Sequence, residues 1–319
     1  MNTLFSLTRN TFRESLRDPL FAILLLAALV LIGLFPTMTL FAFRSEMKFV
    51  IDSSMSATFT LGLIAAVLCS SNSLNREMRN GTVLLLMSKP VNRITFIVSK
   101  MLGISSALIF FVFLCNLATI ISKYVATDQF DFEVGKLSMY FLILLVAVII
   151  AGLRNFFSNK SFSASMVMSL GVMLPIMTLV LYFMKPDACE ASFLYAISLL
   201  FFAIVIMGAV SVLLATRFGL VVNLTVSFII FVGGLISSYL LKEAGDSGNV
   251  LLESIAKMLS LVIPNWQYFW MADAITSKTV IPGSYFMWNL IYCILYLLLC
   301  GYWASYLFDS RELASSVEQ

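Results

Sequence analysis

The sequence predicts an all-α, polytopic membrane protein with about eight transmembrane helices. Three observations carry that prediction. Hydrophobic residues make up 61% of the 319 positions and charged residues only 12%, where a soluble domain has roughly 25%. Mean hydropathy is +0.98, so a water-soluble fold has no way to hide the apolar surface. The apolar residues also fall into near-continuous runs about twenty residues long, the length at which a helix crosses a bilayer. Barrel strands would instead alternate over stretches of about ten residues. In hydrocarbon every backbone N–H and C=O must bond within the protein, which leaves helices as the spanning elements.

Eight runs satisfy the length: Leu20–Phe43, Ser54–Ser71, Ile97–Ile121, Ser138–Phe157, Ala164–Met184, Phe193–Leu214, Leu220–Leu241 and Ser284–Phe308. The second is the weakest, being short and serine-rich. The first is too long for a signal-peptide core and is expected to remain as a span. Short turns at Arg154–Lys160 and at Arg217 make their flanking runs antiparallel hairpins. With the N-terminus inside, the inner segments hold 12 basic and 6 acidic residues and the outer segments 8 and 11. That bias, clearest in the short loops with Arg154, Lys160 and Arg217, places both termini in the cytoplasm. Counting Lys100 and Arg154, each near the inner end of its run, with the adjoining inner segments leaves charged residues to the segments between spans, which argues against an ion-coupled transporter. Coupling through the neutral side chains of Asn116, Asn223 or Asn289 stays open.

Three other segments stand out. In residues 1–18, Met1, Phe5, Phe12 and Leu16 share one helical arc, with Arg9, Arg13 and Arg17 as a basic stripe beside it. This reads as an amphipathic helix on the membrane surface, arginines towards the headgroups; the plainer alternative is a basic segment that only orients the first span. Asp18-Pro19 then breaks the helix. Residues 72–96 form the longest cytoplasmic loop, with capping residues at its start, a short apolar stretch Val83–Met87, and a turn at Ser88-Lys89-Pro90. Its shape is that of a docking element; an ordinary structured loop is the alternative. Residues 242–283 begin polar, become apolar at helical spacing over Leu251–Ile263, break at Pro264-Asn265, and continue into Trp266, Tyr268 and Trp270. Those aromatics suit the membrane–water boundary, and the segment reads as a helix–turn–helix dipping into the outer leaflet; a small extracytoplasmic loop whose aromatics pack on the helix ends is the alternative.

The chemistry that is missing narrows the function. No phosphate loop, H-E-x-x-H or EF-hand pattern is present. There is no histidine, so no imidazole base or histidine metal ligand exists. Of the five cysteines only Cys189 lies in a loop, and no C-x-x-C pair occurs. Asp128, Asp131 and Glu133 read as a solvated acidic loop rather than a cation site. No cofactor, metal site or nucleic-acid partner is expected, and the chain does not read as an enzyme.

The stretch Arg76-Glu77-Met78-Arg79-Asn80-Gly81-Thr82, then Ser88-Lys89-Pro90-Val91-Asn92-Arg93, Phe96 and Lys100-Met101-Leu102-Gly103, resembles the ABC-2 family of ABC-transporter permeases. It looks most like the branch that includes the nitrous-oxide-reductase maturation, copper-processing permease. Ser99 stands where that branch usually has glycine. The motif covers about 30 residues, the wider resemblance the first 120 or so. The resemblance implies a non-catalytic permease subunit, an exporter of the bacterial inner membrane. It implies a permease homodimer or heterodimer and a separate cytoplasmic ATPase that carries the ATP and Mg. Residues 72–96 would be the coupling loop, with Glu77, Arg79, Thr82, Ser88, Lys89, Pro90 and Arg93 as its ATPase contacts. Residues 1–18 would be the connecting helix and 242–283 the re-entrant segment. The family core has six spans, so the chain is expected to carry an extra hairpin. The competing readings are an ion-coupled secondary transporter and a membrane enzyme such as a lipid transferase.

Overall fold

A computed structural model describes residues 2–41, 46–79, 93–126, 133–184, 190–246, 250–276 and 279–317. The helices are α1 (Asn2–Arg17), α2 (Pro19–Leu34), α3 (Glu46–Arg79), α4 (Arg93–Val125), α5 (Val134–Ser158), α6 (Phe162–Met184), α7 (Ala191–Ala215), α8 (Leu220–Asp246), α9 (Val250–Val262), α10 (Ala272–Thr276) and α11 (Gly283–Val317). Short 3-10 turns cover Phe35–Phe41 and Trp266–Phe269. No strand occurs among the described residues. Eight helices are long and apolar enough to cross a membrane: α2 to α8 and α11. All eight runs foreseen from the sequence are therefore present, and the chain is a polytopic helical membrane protein.

Local chemistry explains the boundaries. Asp18 caps α2, its carboxylate accepting from the Leu20 N–H at 2.9 Å, and Pro19 sits where a missing N–H costs nothing. Pro36 ends the regular part of α2 and the chain tightens into the 3-10 turn that follows. The serine-rich second run forms one of the longest helices. It begins well before Ser54 and takes Lys48 and Asp52 into its first turns. Its hydroxyls do not interrupt it because they bond back along the helix, Thr58 to the Ser54 carbonyl (2.9 Å) and Ser70 to the Ala66 carbonyl (2.7 Å).

The helices α3, α4 and α7 pack on one another and form the centre. Helices α4 and α7 are the most buried spans, α8 and α11 the least. Helix α2 lies against α3 and α4, and the α5–α6 hairpin lies outside α2 and α4. Helix α8 rests on α3 and α7, and α11 on α7 and α4. Lipid tails are as apolar as leucine, so helices associate through close packing and buried hydrogen bonds. Gly62 lets Ile204 of α7 press on the α3 backbone, and Gly208 does the same for Leu108 of α4; a β-carbon at either site would collide.

Polar side chains then pin the neighbours. Asn223 of α8 donates to Ser71 Oγ of α3 (2.7 Å) and to Ser211 Oγ of α7 (3.0 Å), and accepts from Ser227 (3.1 Å). Asn116 donates to the Ile197 carbonyl (2.9 Å). Asn289 bonds back to the Tyr285 carbonyl of its own helix (3.0 Å). Tyr140 of α5 donates to the Leu29 carbonyl of α2 (2.7 Å).

Replacing Asn223 with leucine removes the link joining α3, α7 and α8. An interhelical bond of this kind is worth about 1–2 kcal/mol, so the variant is expected to unfold several degrees lower in detergent. An unchanged thermal midpoint would show the network to be incidental.

Candidate functional site: the base of the α3–α4 loop and the aromatic return

The residues that carry the resemblance converge on one end of the bundle, where α1 lies. Helix α3 ends there at Arg79 and α4 starts there at Arg93. Glu77, Arg79 and Arg93 thus stand at the two ends of the connecting loop. Thr82, Ser88, Lys89, Pro90 and the apolar stretch Val83–Met87 lie outside the described residues.

The base of that loop is a polar node. Lys100 is in the second turn of α4 and only 3% exposed. Its ammonium donates to Ser73 Oγ of α3 at 3.0 Å and lies 3.4 Å from the Glu14 carboxylate of α1. One turn away Asn72 donates to the second carboxylate oxygen of Asp18 at 3.0 Å. Four elements are thereby tied together: α1 by Glu14, the α2 cap by Asp18, α3 by Asn72 and Ser73, and α4 by Lys100. Gly103 completes the joint. A β-carbon there would sit 2.6 Å from the Thr11 side chain and 2.8 Å from the Thr8 carbonyl, so α1 lies directly on the α4 backbone.

This corrects the expectation that charges lie only between spans. Lys100 and Arg154 are both within spanning helices. Lys100 is tolerated because it sits about 10 Å from the α4 start and has an acidic and a hydroxyl partner. Arg154 is exposed near the end of α5. The α1 reading is refined in the same way. Arg9, Arg13 and Arg17 are exposed and form the foreseen stripe, as is Phe5, while Thr11, Ser15 and Leu16 are buried. The helix is packed on α4 and α6 rather than resting on lipid alone.

At the opposite end, residues 250–276 run down beside α8 and return. Helix α9 packs on α8, the chain turns at Pro264, and α10 comes back to α3 and α7. The turn lies deep. Gly234, which touches the Pro264 carbonyl and the Trp266 indole so closely that no β-carbon fits, is twelve residues from the end of α8, about 18 Å along its axis. On α11, Tyr296 donates to the Val262 carbonyl (3.1 Å) thirteen residues from the helix start, about 20 Å along.

Side chains hold the return in place. Asn265 caps the 3-10 turn through the Gln267 N–H (3.0 Å) and donates to Ser238 of α8 (2.6 Å). Tyr292 accepts from the Asn265 N–H (3.3 Å), Tyr285 donates to the Tyr268 carbonyl (2.7 Å), and Lys48 of α3 pairs with Asp273 of α10 at 3.0 Å. The three aromatics expected at the boundary part company here. Tyr268 is 48% exposed and Trp270 half-buried, but Trp266 is 1% exposed, set against Phe59 and Phe231. Its burial follows from the notch at Gly234, on a different helix.

No family model, no curated protein and no solved structure matches the chain.

Among the described residues no group of three His, Cys, Asp or Glu side chains could hold a metal. Glu133, from the acidic loop noted in the sequence, pairs with Lys136 at 2.6 Å; Asp128 and Asp131 lie outside the described residues. Cys69, Cys115, Cys293 and Cys300 are buried and unpaired by disulfides. The two ends differ in their contacts: a polar joint under the loop, and a return held by hydrogen bonds and aromatic rings at the far side.

Two substitutions probe these joints. Gly103→Leu is expected to lift α1 off α4, so that trypsin cuts at Arg9 and Arg13 at least about tenfold faster while the remaining helices stay intact. Unchanged cutting would mean that α1 does not depend on this contact. Gly234→Val is expected to displace Trp266, red-shifting the tryptophan emission of the folded protein; an unshifted spectrum would contradict the buried placement.

Proposed function

We propose that the chain is the membrane-spanning permease subunit of an ABC-2 type ABC transporter, an exporter driven by a separate ATPase. The observation that carries this reading is the α3–α4 loop. It bears the family-like motif from Arg76 to Gly103, and the motif's last residues, Lys100 and Gly103, anchor α1 to the loop base. In this reading ATP and Mg bind the partner, and the permease catalyses nothing.

The proposed sequence of events follows from rigidity. Closure of the ATPase pushes on residues 72–96. The push enters α3 and α4 together, because both helices end in the loop. The joint of Lys100, Ser73 and Glu14 passes it to α1, and the close contacts at Gly62 and Gly208 pass it to α7. Residues 250–276, held against α8 and α11, would then shift as the far side opens. Eight spans rather than six are accommodated by taking the peripheral α5–α6 pair as the added hairpin. A permease dimer, a cytoplasmic position for the α1 end, a bacterial inner-membrane location and a return segment dipping into the outer leaflet belong to the same proposal.

An ion-coupled secondary transporter is the second reading. It would favour a titratable group near mid-membrane. Among the described residues the buried charged side chain, Lys100, is instead near a helix start and is partnered, which favours the first reading.

The decisive experiment is co-expression with a candidate ATPase and isolation in detergent. The wild type is expected to hold the ATPase, and a variant carrying Glu77→Ala, Lys89→Ala and Arg93→Ala to lose it while remaining folded. A wild type that never retains an ATPase would sink the permease reading. Single changes at Glu77 or Arg93 are expected to leave ATP hydrolysis running while transport falls; full transport in both would remove the loop from the coupling path.

A further inference from the structure

The tip of the α5–α6 hairpin is used by nothing described so far. Ala151 is buried, but every residue from 152 to 160 is exposed. Within that stretch Phe156 is 80% and Phe157 76% exposed, their rings edge to face at 5.1 Å. Arg154 and Lys160 flank them, neither in an ion pair, and no acidic residue occurs between Leu137 and Met184.

The tip is a built turn. Asn159 takes the left-handed conformation (φ 49°) that closes the helix, and its N–H bonds to the Asn155 carbonyl at 3.1 Å. The Asn155 amide then donates to the Lys160 carbonyl at 2.8 Å. The two phenyl rings and the two cations are therefore presented from a fixed backbone.

Its depth identifies what it meets. Along α5 the first charge is Lys136, paired with Glu133, and the next is Arg154. Eighteen residues separate them, about 27 Å of helix, close to the roughly 30 Å of a hydrocarbon core. With Lys136 at one boundary, Arg154 falls at the headgroup level of the other, and Phe156, Phe157 and Lys160 follow it at the membrane interface. The same end carries the exposed arginine stripe of α1, which packs on α6. The opposite end of the hairpin also shows exposed aromatics, Tyr182 and Phe183, but its described lysine, Lys136, is paired with Glu133.

We propose that the α5–α6 turn binds the phosphate headgroups of anionic phospholipids, with Arg154 and Lys160 as the cationic contacts and Phe156 and Phe157 as the apolar anchor. A basic residue near an anionic surface favours binding about fivefold, so the pair should give a preference on the order of twentyfold for an anionic over a zwitterionic lipid.

The test is lipid retention by the full-length, delipidated protein in detergent, read by native mass spectrometry. Phosphatidylglycerol is titrated against phosphatidylcholine of the same chain length. The wild type is expected to keep phosphatidylglycerol preferentially, and Arg154→Gln with Lys160→Gln to lose most of that preference. The charge-keeping pair Arg154→Lys with Lys160→Arg should retain it. Phe156→Ser with Phe157→Ser should weaken retention of both lipids together. Glycerol phosphate, the headgroup without its chains, should fail to displace the bound lipid. Equal retention of the two lipids by the wild type, or an unchanged preference in the glutamine variant, overturns the proposal. So does a glutamine variant that loses a dimeric mass instead of bound lipid, which would assign the tip to a second copy.

Discussion

Helices in lipid gain little by hiding apolar side chains from one another, so their contacts rest on how closely two backbones can approach. That constraint organises this bundle. The central helices α3, α4 and α7 meet where one offers a missing β-carbon and another a branched side chain, as at Gly62 with Ile204 and Gly208 with Leu108. Once backbones are that close, short polar side chains reach across. Asn223, Asn116 and Tyr140 all find their partners in this way. The peripheral helices lack such deep contacts on their outer sides and leave large apolar residues facing outward.

The two ends of the bundle are built differently, and the difference bears on mechanism. The α1 end is joined by charge: Glu14, Lys100 and Asp18 with hydroxyl and amide partners. With Lys100 buried, the Glu14–Lys100 attraction is offset by the cost of desolvating the ammonium, but its geometry fixes how α1 sits on the loop base. The opposite end is joined by aromatic rings and by hydrogen bonds between tyrosine hydroxyls and the backbone around Pro264, with the exposed Lys48–Asp273 pair beside them. In the proposed coupling, a force entering at the loop would meet the charged joint first and the return beside α8 last.

Much of the fold was legible because its signals are local. Apolar length marks a span irrespective of its neighbours, which is why even the serine-rich run was found; its true extent was missed because hydroxyls that bond back along a helix look polar in sequence. The cap at Asp18-Pro19 is likewise a local pattern. In the sequence Lys100 falls at the inner end of the third run, Ile97–Ile121, and counts there with the cytoplasmic charges rather than as a buried residue. The signal that could have placed it was the small residues beside it, Ser99 and Gly103, which mark a helix face meant for close contact. The burial of Trp266 had no local signal, since its pocket is made by a glycine on α8.

The sequence by itself determined that the chain is helical, that it spans a membrane repeatedly, and where each span lies, because those properties depend on the solvation of one segment at a time. Only the tertiary structure decided that Lys100 joins α1 to the loop base, that the chain turns at Pro264 deep beside α8, and that Phe156 and Phe157 stand at an exposed tip. Each of those depends on which residues of distant helices come within hydrogen-bond or van der Waals reach, and contact of that kind follows from packing in three dimensions rather than from the order of residues along one strand of chain.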